Sequence, residues 1–114
     1  MNYNQMMVDL RVEYVSSLPQ KILDIETHYI AKDRERLRDD FHKLKGTGKT
    51  YWVPEISELG EVFEKICLKE TIPINQFIPS AINLLKQIYS YRKEDKAYDL
   101  SQVTEFLNAQ RLIS

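Results

Sequence analysis

The sequence of 114 residues contains one cysteine, three glycines and four prolines, and valine and threonine are few for a β-protein. The single cysteine, Cys67, cannot form an internal disulfide, which favours a reducing compartment. We therefore expect a cytoplasmic protein. The low content of strand-favouring and turn-forming residues favours a helical fold before any pattern is considered.

Long apolar runs and blocks of like charge are absent as well. No stretch reaches the length of a membrane-spanning helix, and residues 1–5 lack the basic-then-apolar layout of a signal peptide. The net charge is −1, with the two signs interspersed, so neither a membrane nor nucleic acid is an expected partner. The 43% apolar and 29% charged residues are typical of a globular protein, and the length suits one domain.

Apolar residues recur at helical spacing between short breaks that prolines mark. A short first helix is predicted to end at Pro19, which begins the second helix. The second helix is expected to bury a set of apolar residues: Ile22, Leu23, Ile25, Tyr29 and Ile30. Asp33 suits the N-cap of a third helix. The buried positions of that helix recur at spacings of four, three, four and three: Leu37, Phe41, Leu44, Gly48 and Tyr51.

Pro54 suits the first turn of a fourth helix, which has Glu55 and Glu58 near its positive end. This helix is expected to bury six residues: Ile56, Leu59, Val62, Phe63, Ile66 and Cys67. A fifth helix is predicted to begin at 71–73, and Pro79 should kink or break it. The charged segment 92–96 is predicted to be a solvated loop.

Ser101 is expected to cap a last helix that buries Val103, Phe106, Leu107 and Leu112. The pattern predicts an all-α protein, an antiparallel four-helix bundle with a short N-terminal helix and an accessory C-terminal helix. We expect one domain over residues 1–114, with a core at about 10–91 and an extension at 92–114.

The third helix carries a histidine on the face that we expect to be exposed. His42 lies about 100° from the buried stripe. Lys45, Gly46 and Lys49 follow it at three, four and seven positions and Arg38 precedes it by four, so these residues form one ridge. A glycine inside a helix costs about 1 kcal/mol relative to alanine. Gly46 therefore suggests that another protein approaches this ridge closely.

The residue types on this ridge suit phosphoryl transfer. A neutral imidazole is a good nucleophile, and the ammonium group of Lys45 can neutralise charge on phosphoryl oxygens, with added positive potential from Lys49. Asp39 is the expected acceptor for the other ring nitrogen of His42. Gly48 lies on the buried stripe, where it lets a neighbouring helix pack closely.

The motif His42-x-x-Lys45-Gly46-x-Gly48 resembles the signature of histidine-containing phosphotransfer domains, His-x-x-Lys-Gly-x-Ser or Gly, and the similarity covers about residues 10 to 90. The resemblance implies a four-helix bundle whose exposed histidine accepts phosphate at Nε2 and exchanges it with an aspartate of a receiver domain. It implies that His42 is the phosphoacceptor, that Lys45 stabilises the phosphoryl group, and that Gly46 gives the partner room.

The resemblance also implies the partners. A response-regulator receiver domain and a hybrid histidine kinase are expected, and the receiver would bring Mg²⁺, so this chain is expected to need no cofactor or metal. It would be a monomeric phosphocarrier and not an enzyme. One position departs from the family pattern: Trp52 stands ten positions after His42, where the family has glycine or a small residue. The indole could narrow access to His42 or add a docking surface.

Two other functions remain open. A non-catalytic docking module would bind a receiver or a kinase, with access to His42 limited by Trp52. An enzyme acting on phosphohistidine or phosphoaspartate would need a water-activating group near His42, for which Asp39 is the only candidate. His28 has no metal-binding constellation around it, and it is interpreted, like Cys67, as a structural residue.

Overall fold

Six α-helices and two short 3₁₀ turns form the computed structural model, which describes residues 2–114 and has no strand among them. The helices are α1 (Tyr3–Ser16), α2 (Leu18–Ile30), α3 (Arg34–Gly48), α4 (Pro54–Cys67), α5 (Ile78–Lys93) and α6 (Thr104–Leu112), and the 3₁₀ turns are Ile74–Gln76 and Leu100–Gln102. The all-α prediction is confirmed. No helix of residues 2–114 combines the length and the apolar character needed to cross a bilayer.

Helices α2 to α5 surround the core. Each contacts the next one in chain order, and α5 also contacts α2. The most extensive contact joins α3 and α4. Two helices that pack along their length and are joined only by the short link 49–53 run antiparallel. Phe63 lies at the centre, with its ring centroid 5.6 Å from that of Phe41 and 6.4 Å from that of Phe77.

The first two helices differ from the predictions in length and in their buried faces. α1 has 14 residues and is not short. On α2, Ile22 and Ile25 are buried, but Leu23 and Ile30 are 53% and 81% exposed, so the prediction that both are buried is wrong. Leu23 lies about 100° from Ile22 around the helix, and only one side of α2 faces α3 and α5.

Helices α3 and α4 follow the sequence pattern closely. Asp33 caps α3, because its carboxylate accepts a hydrogen bond from the backbone amide of Arg36 at 3.1 Å. All six residues predicted to be buried on α4 are buried. Two polar residues of α4, Glu55 and Ser57, are buried as well, which the apolar pattern did not indicate.

The fifth helix begins later than predicted. Residues 71–73 precede a 3₁₀ turn, and α5 starts at Ile78 with Pro79 in its first turn, where a missing backbone donor costs nothing. Pro79 therefore lies in the first turn of the helix and does not kink it. Arg92 is not part of a solvated loop, since its side chain is 9% exposed and pairs with Glu55.

The C-terminal helix is integrated into the core. α6 contacts α4 and α5, and Phe106 and Ala109 belong to the buried cluster, so this additional helix packs on the bundle. Leu107 is 37% exposed, contrary to the prediction. Ser101 does not cap α6, because it lies in the 3₁₀ turn and its amide donates to Asp99 at 3.0 Å.

Three helices end in the same left-handed turn. At the end of α3, the amide of Val53 donates to the carbonyl of Gly48 at 2.8 Å and that of Trp52 donates to Lys49 at 3.2 Å, which is the Schellman pattern. Trp52 has φ 59°, and the equivalent residues after α2 and α5, Lys32 and Asp95, have φ 55° and 58°. None of the three is the glycine that this conformation favours.

The three glycines of the chain have different surroundings. A Cβ atom on Gly60 would lie 2.5 Å from the amide nitrogen of Lys45 and 2.7 Å from the carbonyl oxygen of Phe41, and one on Gly48 would lie 2.5 Å from the amide of Ser57. A Cβ on Gly46 would meet nothing within 4 Å. Gly48 and Gly60 therefore allow α3 and α4 to approach each other closely, whereas Gly46 leaves open space beside the ridge.

We expect Gly60→Ala to lower the free energy of unfolding by about 2 kcal/mol, because the added methyl group meets rigid backbone atoms of α3. Gly46→Ala is the matched control and should raise it by about 0.5–1 kcal/mol, since alanine favours the helix and has room. Denaturant unfolding of the three proteins measures both changes. Equal stability of the Gly60→Ala and wild-type proteins would contradict the close approach of α3 and α4.

Candidate functional site

His42 projects from the exposed side of α3. Its side chain is 70% exposed, while Phe41 and Leu44 on the opposite side of the helix are 0% and 2% exposed. Burial of these two neighbours fixes the orientation of the helix, and this orientation directs the imidazole to solvent. Trp52 therefore does not cover His42 in the free chain.

A carboxylate from α4 holds the ring of His42. Oε2 of Glu64 lies 2.5 Å from Nδ1 of His42, and the side chain of Glu64 is only 14% exposed. A carboxylate can only accept, so Nδ1 carries the proton and donates. In the neutral imidazole the lone pair is then on Nε2, the nitrogen that is free to react.

Lys45 lies beside the same carboxylate. Its Nζ is 3.6 Å from Oε1 of Glu64, and its side chain is 43% exposed. Glu64 thus links the imidazole and the ammonium group, one through each oxygen. This arrangement keeps a cation near His42 without covering Nε2.

Glu64 was not identified from the sequence, and Asp39 was predicted in its place. That prediction is wrong, since Asp39 lies on the surface beside Arg38, 3.4 Å from its guanidinium group. Gly60 is the signal that could have indicated Glu64. It lies one turn before Glu64 on α4, and it allows α4 to approach α3 closely near Lys45, one turn after His42.

The other predicted ridge residues lie towards the end of α3. Gly46 borders open space. Lys49 is exposed, its backbone amide donates to Oγ of Ser57 at 2.7 Å, and its ammonium group has no ion pair within residues 2–114. Trp52 is half-buried in the turn that follows. Gly46 and Lys49 thus extend the exposed surface from His42 towards the end of α3.

His28 and Cys67 lie away from the ridge. Nδ1 of His28 is 2.6 Å from Oδ2 of Asp40, which connects α2 to α3. Burial raises the pKa of Asp40, and the hydrogen bond from His28 opposes that rise. Burial also raises the pKa of the Cys67 thiol to about 12, which makes it unreactive at neutral pH. Within residues 2–114 no group of three or more histidine, cysteine and acidic side chains could hold a metal ion.

Comparison with known proteins identifies the family. The model of the Hpt domain family matches residues 9–90, which include the ridge, Glu64 and most of the core. No curated protein and no solved structure matches the chain significantly. Hpt domains are phosphocarriers of phosphorelays in two-component signalling, where they interact with receiver domains and kinases. The exposed histidine, the helical fold and the family match agree, and this chain belongs to the Hpt domain family.

Proposed function

We propose that His42 accepts a phosphoryl group from the aspartate of a response-regulator receiver domain and returns it to such an aspartate. The observation that supports this proposal best is the bond from Nδ1 to Glu64 in a side chain that is 70% exposed. In the neutral imidazole this bond leaves the lone pair on the exposed Nε2, which a nucleophile requires.

In the proposed step, the lone pair of Nε2 attacks the phosphorus atom of the receiver's aspartyl phosphate. The N–P bond forms while the P–O bond to the aspartate breaks, and the electron pair of that bond remains on the aspartate carboxylate. The proton stays on Nδ1, so the phosphorylated ring carries a positive charge. The carboxylate of Glu64 stabilises this charge at a distance fixed by the fold.

The remaining ridge residues assist in different ways. Lys45 can turn from Glu64 towards the phosphoryl oxygens, since its pairing distance is long at 3.6 Å. Lys49, about two turns further along α3, adds positive potential for an anionic partner. The open space at Gly46 lets the receiver approach the imidazole.

The partner supplies the rest of the chemistry in this proposal. The receiver domain brings Mg²⁺ and most of the catalytic groups, and a hybrid histidine kinase is the proposed upstream source of phosphate. The chain would act as a monomeric carrier and needs no cofactor of its own.

Incubation with phosphorylated receiver domains of the same organism tests the proposal. We expect the label to move to this chain as acid-labile, alkali-stable phosphate, and peptide mapping should place it on His42. A label that resists acid, or one that maps to another residue, would contradict the assignment. Rapid release of phosphate in the absence of a receiver would instead support the enzyme hypothesis.

We expect Glu64→Gln to slow phosphorylation of His42 by the small donor phosphoramidate about tenfold. A neutral amide stabilises the developing imidazolium less than a carboxylate does, by about 1 kcal/mol or more. Glu61→Gln is the matched control, because Glu61 lies on the same helix, is half exposed and, within residues 2–114, pairs only with Lys65, at 3.4 Å. Equal rates for the Glu64→Gln and Glu61→Gln proteins would show that Glu64 has no part in the step.

A further inference from the structure

Two cationic side chains flank His42 on α3. Arg38 precedes His42 by four positions and Lys45 follows it by three, and both spacings make side chains neighbours on the surface of a helix. In the proposed step Lys45 contacts the phosphoryl oxygens, whereas Arg38 has no role. The Arg38 side chain is nevertheless 42% exposed and lies about 40° from His42 around α3.

The guanidinium group of Arg38 lies in the turn of α3 that precedes His42. Its Nη2 is 3.4 Å from Oδ1 of Asp39. Arg38 and Asp39 lie to opposite sides of the line of His42, at about 40° and 60° around the helix. The contact between them therefore brings the guanidinium group towards that line, one turn before the imidazole.

The imidazole of His42 reaches back towards the same turn. Side chains of an α-helix lean towards its N-terminus. Gly60 of α4 packs against the backbone of α3 at Phe41 and Lys45. Because the two helices are antiparallel, Glu64, one turn after Gly60, is level with the turn of α3 that precedes His42. The bond from Nδ1 to Glu64 therefore holds the ring on that side.

Arg38 is held only weakly in the free chain. Within residues 2–114, the contact with Asp39 is its only ion pair and its only side-chain hydrogen bond. Asp39 is exposed, and exposed ion pairs contribute little to stability. A phosphoryl group carries more negative charge than a carboxylate and presents several acceptor oxygens, which a guanidinium group binds in pairs. Arg38 can therefore exchange Asp39 for a phosphoryl group on His42.

We propose that Arg38 binds the phosphoryl oxygens at His42 from the N-terminal side, while Lys45 binds them from the C-terminal side; this inference rests on the proposed function. The two cations then share the negative charge on the phosphoryl oxygens as the group moves to Nε2. Glu64 holds the other ring nitrogen throughout, so the three side chains have separate roles.

Arg38→Gln tests this inference, with Arg36→Gln as the matched control. Arg36 is an exposed arginine of the same helix that pairs with Asp33 at 3.4 Å, and it lies about 120° from His42 around α3. Phosphoramidate serves as the donor, so that no receiver surface takes part. We expect Arg38→Gln to slow phosphorylation of His42 about tenfold and Arg36→Gln to leave the rate unchanged.

Two further measurements separate contact with the phosphoryl group from a structural role. Arg38→Lys keeps the positive charge, so its rate should stay within about threefold of the wild-type rate. In ¹⁵N-labelled wild-type protein, the Nε–H resonance of Arg38 should shift when His42 is phosphorylated, and that of Arg36 should not.

Equal rates for the Arg38→Gln and Arg36→Gln proteins would overturn the inference and leave the proposed function intact. An unshifted Arg38 resonance in the phosphorylated protein, or an Arg38→Lys protein as slow as Arg38→Gln, would overturn it as well. If the wild-type chain takes no phosphate on His42 from phosphoramidate or from any receiver of the genome, the proposed function and this inference both fail.

Discussion

Replacement of His42 by glutamine should abolish phosphate uptake completely. The amide of glutamine has no nitrogen lone pair that can attack phosphorus, whereas it can still donate a hydrogen bond to Glu64. A side chain that is 70% exposed contributes little to packing, so the variant should fold with nearly wild-type stability. Incubation with a phosphorylated receiver domain, followed by measurement of acid-labile label, gives the result directly.

The chain provides its own control for this experiment, since it contains two histidines. His28→Gln should keep the label, because the His28 side chain is only 21% exposed and its Nδ1 pairs with Asp40. Acid-labile phosphate on the His42→Gln protein would show that another residue is the acceptor. Loss of label in both variants would indicate a structural cause, which circular dichroism of each variant would reveal.

Replacement of Glu55 by alanine should have the largest effect on stability, a loss of about 3–5 kcal/mol in the free energy of unfolding. Glu55 is 4% exposed. It accepts hydrogen bonds from Nε and Nη2 of Arg92 at 2.9 and 2.7 Å and from the amide of Tyr98 at 2.9 Å. Without the carboxylate, the guanidinium group of Arg92 would remain buried without a counter-charge, and the loop before α6 would lose its attachment to α4.

Glu58→Ala is the matched control for this loss. Glu58 lies about one turn after Glu55 on the same helix and is exposed. Its replacement should therefore change the free energy of unfolding by about 0.5 kcal/mol or less. Denaturant unfolding at neutral pH compares the two variants with the wild type. If the Glu55→Ala and Glu58→Ala proteins had equal stability, the ion pair of Glu55 with Arg92 would make no net contribution to the free energy of unfolding.

The left-handed residues Lys32 and Asp95, which follow α2 and α5, show how little the sequence reveals of helix ends. Glycine is the usual signal for such a turn, and neither position has it. The prolines were more informative, because Pro54 and Pro79 both lie in the first turn of a helix. Pro79 was nevertheless interpreted as a kink, since periodicity alone cannot distinguish a helix start from a helix interior.

The sequence by itself determined the helical class, the buried stripes of α3 and α4, and the exposed ridge that carries His42. These features depend on local spacing, because residues three and four apart share a face of an α-helix wherever the helix lies. The resemblance to the family rests on the same local motif, and the match to residues 9–90 supports it.

Only the tertiary structure decided which residues act together across helices. Glu64 and His42 are 22 positions apart, and Glu55 and Arg92 are 37 apart. Spacing on one helix does not specify the distance to a side chain on another. The close approach of α3 and α4 at Gly60 brings the carboxylate of Glu64 within hydrogen-bonding distance of His42, the histidine that the sequence had already indicated.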